Sequence, residues 1–154
     1  MNLGNHSGAP EGEWTDPKQA AVLASAWESR GPAGQEAARC LTTPQAAGVW
    51  VRPEGLSEVW RERPFEVVLE HAWVTGKFDR VVVIRDAAGR ALAATVYDFK
   101  TGLLSEGADL VREAAQHEGQ LDLYCRAVAV LAGLAPEAVS AEILFTKAAR
   151  RVRL

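Results

Sequence analysis

The sequence predicts an α/β domain in which a central mixed sheet of about four strands carries helices on both faces. Three observations predict it. The stretch 76–102, GKFDRVVVIRDAAGRALAATVYDFKTG, reads as two strands around a tight turn. The stretch 109–131 places Leu121, Tyr124, Cys125, Val128 and Leu131 at three- and four-residue intervals, as in an amphipathic helix. After a stop at Gly133 and Pro136, the run VSAEILFT at 139–146 reads as a last strand. The first three strands are expected to form an antiparallel meander, with the last joining after the crossover helix.

At 154 residues the chain is long enough for one domain with a proper core. Nearly half is apolar and about a quarter charged, an ordinary globular balance. No apolar run approaches the ~18 residues that a membrane span needs, and the N-terminus lacks an export-signal pattern. Two cysteines, Cys40 and Cys125, lie far apart and form no CxxC. This argues against a zinc site, an iron–sulfur cluster and a disulfide framework, and for a reducing, cytoplasmic setting. A net charge of −3 is not the footprint of a protein that grips nucleic acid unaided. Basic residues gather at the end, from Lys147 through Arg150 and Arg151 to Arg153, and read as a solvated terminal tail.

Residues 1–13 are rich in Gly, Pro, Ser and Asn without periodicity and read as a loose leader, with 14–154 as the domain. His6 within it reads as a bystander. Asp16-Pro17 should open a helix, with Gln19 completing a capping box, and Gly31-Pro32 should stop it. A weaker helix over 34–40 and a turn over 44–50 follow. The first strand is expected from about residue 60, with Pro64 at its beginning, where a missing amide is tolerated. A short connection at Glu70-His71 leads to a strand over 77–85. The turn 86–89 ends on Gly89, suited to positive φ, before a strand over 90–100. The helix over 109–131 could break near Gly119.

Side chains alternate along a strand, so Val96, Asp98 and Lys100 share one face while Thr95, Tyr97 and Phe99 take the other. Asp79 is a second carboxylate on the neighbouring strand. Gln120 and Tyr124, four apart on the helix, stand one above the other, with His117 near the same face. Asp98 interrupts a strand of Ala, Thr, Val, Tyr and Phe, and a carboxylate there is costly unless paired or metal-bound. Two Asp and a Lys are the minimum set for metal-assisted phosphodiester hydrolysis. Each residue also has a plain structural reading: Asp79-Arg80 as a surface ion pair, Asp98 and Lys100 as an exposed pair worth ~0–1 kcal/mol, Gln120 and Tyr124 as a polar boundary and a core aromatic. On the residues alone, the two readings are balanced.

The order Gly76-Lys-Phe-Asp79-Arg80, Tyr97-Asp98-Phe99-Lys100-Thr101-Gly102 and Gln120-Leu-Asp-Leu-Tyr124 resembles the PD-(D/E)XK nuclease superfamily. It looks most like the RecB/AddA-like nuclease domain of UvrD-family helicase-nucleases. Glu62-Arg-Pro64-Phe65 is similar to the E-x-P-F segment that precedes those motifs, so the resemblance covers about 60–146. It implies a restriction-endonuclease-like fold and Mg²⁺- or Mn²⁺-dependent cleavage of DNA, in a helicase-nuclease that processes ends in double-strand-break repair. Asp79, Asp98 and the backbone carbonyl of Phe99 would bind the metal. Lys100 would position the attacking water, and Gln120 and Tyr124 would buttress the site and touch the DNA backbone. His117 takes no role from the resemblance.

The family commonly adds a metal ligand, often His, from an upstream helix, and residues 1–13 do not read as that helix. The chain is therefore expected either to be a fragment of a larger helicase-nuclease or to carry a reduced metal site. It has no Walker A motif, so the motor would be a separate domain or a partner subunit. The alternative is a catalytically incomplete nuclease-fold scaffold that docks a helicase or guides a DNA strand.

Overall fold

The computed structural model describes residues 14–154. The leader and His6 lie outside the described residues. Helix α1 (Pro17–Glu28) starts where the sequence indicates. The Asp16 side chain accepts from the amides of Lys18 and Gln19, and the Gln19 side chain returns a bond to the Asp16 amide. Gly31-Pro32 ends α1 and at once opens α2 (Gly31–Thr42), because proline suits the first turn of a helix. This helix is longer than the expected 34–40. A single turn, α3 (Pro44–Ala47), completes the N-terminal group.

Five strands form one sheet in the order β1-β2-β3-β4-β5. Strands β1 (Leu56–Leu69) and β2 (Ala72–Arg85) make a long antiparallel hairpin. Its turn residues Glu70 and His71 both adopt positive φ, 49° and 71°, the conformation of a two-residue hairpin turn. Strand β3 (Ala91–Lys100) continues the meander through a turn in which Gly89 has φ 81° and Asp86 Oδ1 accepts from the amides of Ala88 and Arg90. Two short helical pieces, α4 (Leu110–Ala115) and α5 (Glu118–Ala132), then cross over to β4 (Val139–Phe145), which runs parallel to β3.

Four expectations need correction. Pro64 lies inside β1, opposite Lys77, and not at its start. The strand is at the sheet edge, where a proline inside a strand is tolerated. The break in the crossover helix falls at Gln116-His117, ahead of Gly119, where the His117 amide turns back to the Ala114 carbonyl at 2.9 Å. The basic end is no free tail: Arg150–Arg153 form β5, paired antiparallel with β4, which makes it the fifth strand of the sheet. In β5, Val152 packs on the main core while Arg151 reaches Glu142 at 2.9 Å and the Gln45 carbonyl at 2.8 Å. Finally, Arg80 is 3% exposed, so Asp79-Arg80 is not a surface ion pair.

The sheet divides two apolar clusters. On one face Phe78, Val81, Val83, Val96 and Ile143 pack with Leu121, Ala127 and Val128 of α5. On the other, Leu144, Tyr97 and Phe99 meet Cys40, Ala46, Val49 and Trp50 of the N-terminal group. The alternation expected for β3 therefore holds, with Val96 on the first face and Tyr97 and Phe99 on the second. Alternation slips once in the β1–β2 hairpin. Glu62 adopts φ 46° and leaves the ladder opposite Asp79, and pairing resumes in the same register at Arg63↔Phe78. Phe78 and Val81, three positions apart, consequently reach the same core, and Asp79 sits at the irregularity.

Candidate active site

Three elements bring the polar residues together: the interrupted part of β2, the last residues of β3 and the first turn of α5. The β2–β3 ladder ends at Arg80↔Tyr97, which sets Asp79 and Asp98 next to each other one step beyond it. Past that point the Asp79 side chain takes the place of a backbone acceptor: its Oδ2 accepts from the Phe99 amide at 2.8 Å. Asp98 is buried at 6% exposure, and the Lys100 ammonium lies 2.8 Å from its Oδ2. That oxygen makes no aligned hydrogen bond, so the pair is held by charge and leaves directional capacity on the carboxylate unused. Lys100 Nζ donates to Gln120 Oε1 at 3.4 Å, and Gln120 Nε2 donates to Tyr124 Oη at 3.1 Å.

The polar string rests on an aromatic wall. Phe78 is fully buried and stacks on Phe65 with centroids 4.2 Å apart, while the Tyr124 ring meets both edge-on at 5.5 Å. Gly76 stands across from Phe65 in the ladder, and a Cβ there would come within 2.7 Å of the Phe65 ring. The same Cβ would lie 3.5 Å from the Tyr124 ring, an ordinary contact, so the Phe65 ring is what requires glycine at position 76. Phe99 sends its own ring to the opposite face, 5.4 Å from Trp50. His117 stands at the N-cap of α5 and makes no side-chain capping bond.

Burial pushes the Asp79 carboxyl above its ordinary proton affinity. The neighbouring charges of Asp98 and Glu62 push the same way, and the Phe99 amide and Lys100 oppose them. Two carboxylates in a half-buried place, one with an unaligned buried oxygen, are a hard-oxygen donor set short of positive charge. Such a set suits Mg²⁺ or Mn²⁺, since Mg²⁺ keeps several waters and often takes only one or two protein carboxylates. Among the described residues, no group of three or more His, Cys, Asp or Glu side chains could hold a metal.

The model of the PD-(D/E)XK nuclease superfamily matches residues 4–153. The chain belongs to this superfamily. No curated protein matches it. The five-stranded mixed sheet with helices on both faces accords with the restriction-endonuclease-like architecture of a PD-(D/E)XK domain. Among the described residues, no helix of this domain is long and apolar enough to cross a membrane.

Some neighbours of the site had no signal in the sequence. Glu36 of α2 accepts a short hydrogen bond from Thr146 Oγ1 and pairs with Lys147 at 2.6 Å. The Thr146 amide in turn donates to the Lys100 carbonyl at 3.1 Å, so α2 helps to fix the end of β3. The partners are over a hundred residues apart, and no spacing rule reaches that far. Arg80 is clasped between Trp14 and Trp50, at 5.1 and 5.3 Å from their rings. Its burial could have been inferred only from the tryptophans that cover it.

Proposed function

We propose that this PD-(D/E)XK domain is a divalent-metal-dependent deoxyribonuclease, of exonuclease type, working in the cytoplasm within a helicase-nuclease that processes broken DNA ends. The observation that carries the reading is the buried Asp98 beside Lys100, with Asp79 fastened to the intervening backbone. Asp79, Asp98 and the Phe99 carbonyl would hold Mg²⁺ or Mn²⁺. The ion would supply Lewis-acid polarisation of the scissile phosphate. Lys100 orients the attacking water and offsets the negative charge that develops on the phosphoryl oxygens. Gln120 steadies the ammonium through its side-chain oxygen, and Tyr124 steadies Gln120; both face the DNA backbone. A negative net charge suits a domain to which a motor delivers DNA.

The second reading is a scaffold of the same fold with an incomplete metal site. It is favoured by the lack, among the described residues, of a third metal-competent side chain beside the two aspartates. Titration with Mn²⁺, followed by electron paramagnetic resonance, separates the two. The nuclease reading expects one weak site, lost in Asp79→Ala and in Asp98→Ala. Binding that is absent from the parent, or unchanged in both variants, would leave the scaffold.

A further inference from the structure

Thr146, the residue that follows β4, has each of its polar groups engaged. Its amide donates to the Lys100 carbonyl at 3.1 Å, one step beyond the last register pair of β3 and β4, Lys100↔Phe145. Its carbonyl accepts from Cys40 Sγ at 3.5 Å and from the Ala149 amide at 3.2 Å. Its hydroxyl donates a short hydrogen bond to Glu36 Oε1. The hydroxyl also lies 3.3 Å from the Lys100 carbonyl, but it has one proton to give, and a carboxylate is the stronger acceptor. The Lys147 ammonium and the Thr146 hydroxyl hold the Glu36 carboxyl below its ordinary proton affinity, so it is charged at neutral pH. Glu36 and Cys40 are four apart on α2 and share a face, which grips Thr146 at two points.

We infer that Thr146 is a positioning residue for Lys100, coupling α2 to the end of β3, an inference that rests on the nuclease reading of the site. The segment 98–100 is held from both sides. Asp79 of β2 accepts the Phe99 amide at 2.8 Å, and Thr146 donates to the Lys100 carbonyl. Lys100 carries its ammonium on a flexible four-carbon stem. Asp98 and Gln120 set the direction of that stem, whereas the backbone sets how far it reaches. A reacting group displaced by about 1 Å can cost about a hundredfold in rate, and a loosened strand end would displace this one. Since β4 ends at Phe145, Thr146 depends on its side chain for the order that a longer ladder would give. The bond to Glu36 supplies it from a helix that touches none of the reacting groups.

The test uses the full chain with Thr146→Val, which keeps the shape and removes the hydroxyl, and Thr146→Ser, which keeps the hydroxyl. Single-turnover cleavage of linear DNA at saturating Mn²⁺ should fall by about tenfold in Thr146→Val and stay within about twofold of the parent in Thr146→Ser. Mn²⁺ affinity, by electron paramagnetic resonance, should be the same in all three. Glu36→Leu should match Thr146→Val, and the double variant should be no slower than either alone, because each breaks the same link. Lys147→Gln, which removes the ion pair to Glu36 and leaves Thr146 in place, should cleave like the parent. Amide hydrogen exchange reads the tie without catalysis. Exchange at residue 146, relative to Ile143 within β4, should quicken in Thr146→Val and Glu36→Leu and not in Thr146→Ser. Stability lost in Thr146→Val with cleavage by the folded variant unchanged would reduce Thr146 to a structural role and overturn the inference. So would equal rates in Thr146→Val and Thr146→Ser, or unaltered exchange at residue 146. The outcome is separable from the nuclease reading. Digestion as fast in Asp98→Ala as in the parent would end that reading, and exchange at residue 146 would still decide whether Glu36 and the hydroxyl secure Lys100. Loss in Asp98→Ala without loss in Thr146→Val would keep the nuclease and sink the positioning role.

Discussion

The Asp79 carboxylate accepts the Phe99 amide at 2.8 Å, a side chain of β2 holding the backbone of β3 where the ladder between those strands has ended. Phe99 lies between Asp98 and Lys100, so this one bond fixes the segment that carries the other two charged groups. It also keeps two carboxylates together in a half-buried place, where burial and mutual repulsion raise the proton affinity of Asp79.

The cost of that arrangement gives a pH-dependent stability. A carboxyl whose folded pKa is raised binds more protons folded than unfolded, so stability falls as pH rises through the range of the two pKa values. Asp79→Asn keeps an oxygen for the Phe99 amide and removes the charge. It should therefore be more stable than the parent at pH 7, with the advantage vanishing in acid, as followed by thermal unfolding across pH. A variant less stable than the parent at pH 7 would show that the charge is not a burden to the fold.

Gly76 is set by a cross-strand neighbour, with the Phe65 ring where a Cβ would lie. Overpacking of this kind costs typically ~1–3 kcal/mol. Gly76→Ala should lose stability in that range in urea unfolding, and Gly76→Ala combined with Phe65→Leu should recover part of it. Additive losses in the double variant would mean that the ring is not the obstacle.

The Lys100–Gln120–Tyr124 string predicts graded effects on catalysis. Tyr124→Phe removes the hydroxyl that accepts from Gln120 at 3.1 Å, and Gln120→Leu removes the acceptor for Lys100 at 3.4 Å. Both bonds are exposed and ordinary, so each should change stability by no more than about 1.5 kcal/mol. Single-turnover cleavage should fall further in Gln120→Leu than in Tyr124→Phe, because of these two side chains it is Gln120 that touches the ammonium. The reverse order would place Tyr124 in direct contact with the reaction.

Local chemistry made much of this fold readable. Asp16, Gln19, Pro17 and Gly89 act within three residues of their own positions, and the alternation of Val96, Asp98 and Lys100 follows from the pleat. What could not be read depended on distant neighbours. Pro64 is tolerated inside a strand because, among the described residues, that strand is at the sheet edge, a property of sheet order. The terminal arginines look like a tail until β4 supplies a partner, after which Val152 and Arg151 find opposite environments. The motif residues of the site were legible in order. The irregularity at Glu62, which breaks the alternation that would govern where Asp79 lies, was not.

The deciding measurement is digestion of labelled linear DNA with Mn²⁺, in single turnover with the chain in excess, compared with Asp98→Ala and Lys100→Ala. Excess protein is needed because a site of two carboxylates should bind the ion weakly and an acidic domain should hold DNA poorly, more so as salt rises. Circular dichroism on both variants checks that removing one member of the buried pair leaves the fold in place. The predicted result is slow, Mn²⁺-dependent cleavage by the parent and a loss of at least about a hundredfold in each folded variant. Variants that digest as fast as the parent would contradict the assignment of Asp98 and Lys100 to the chemistry.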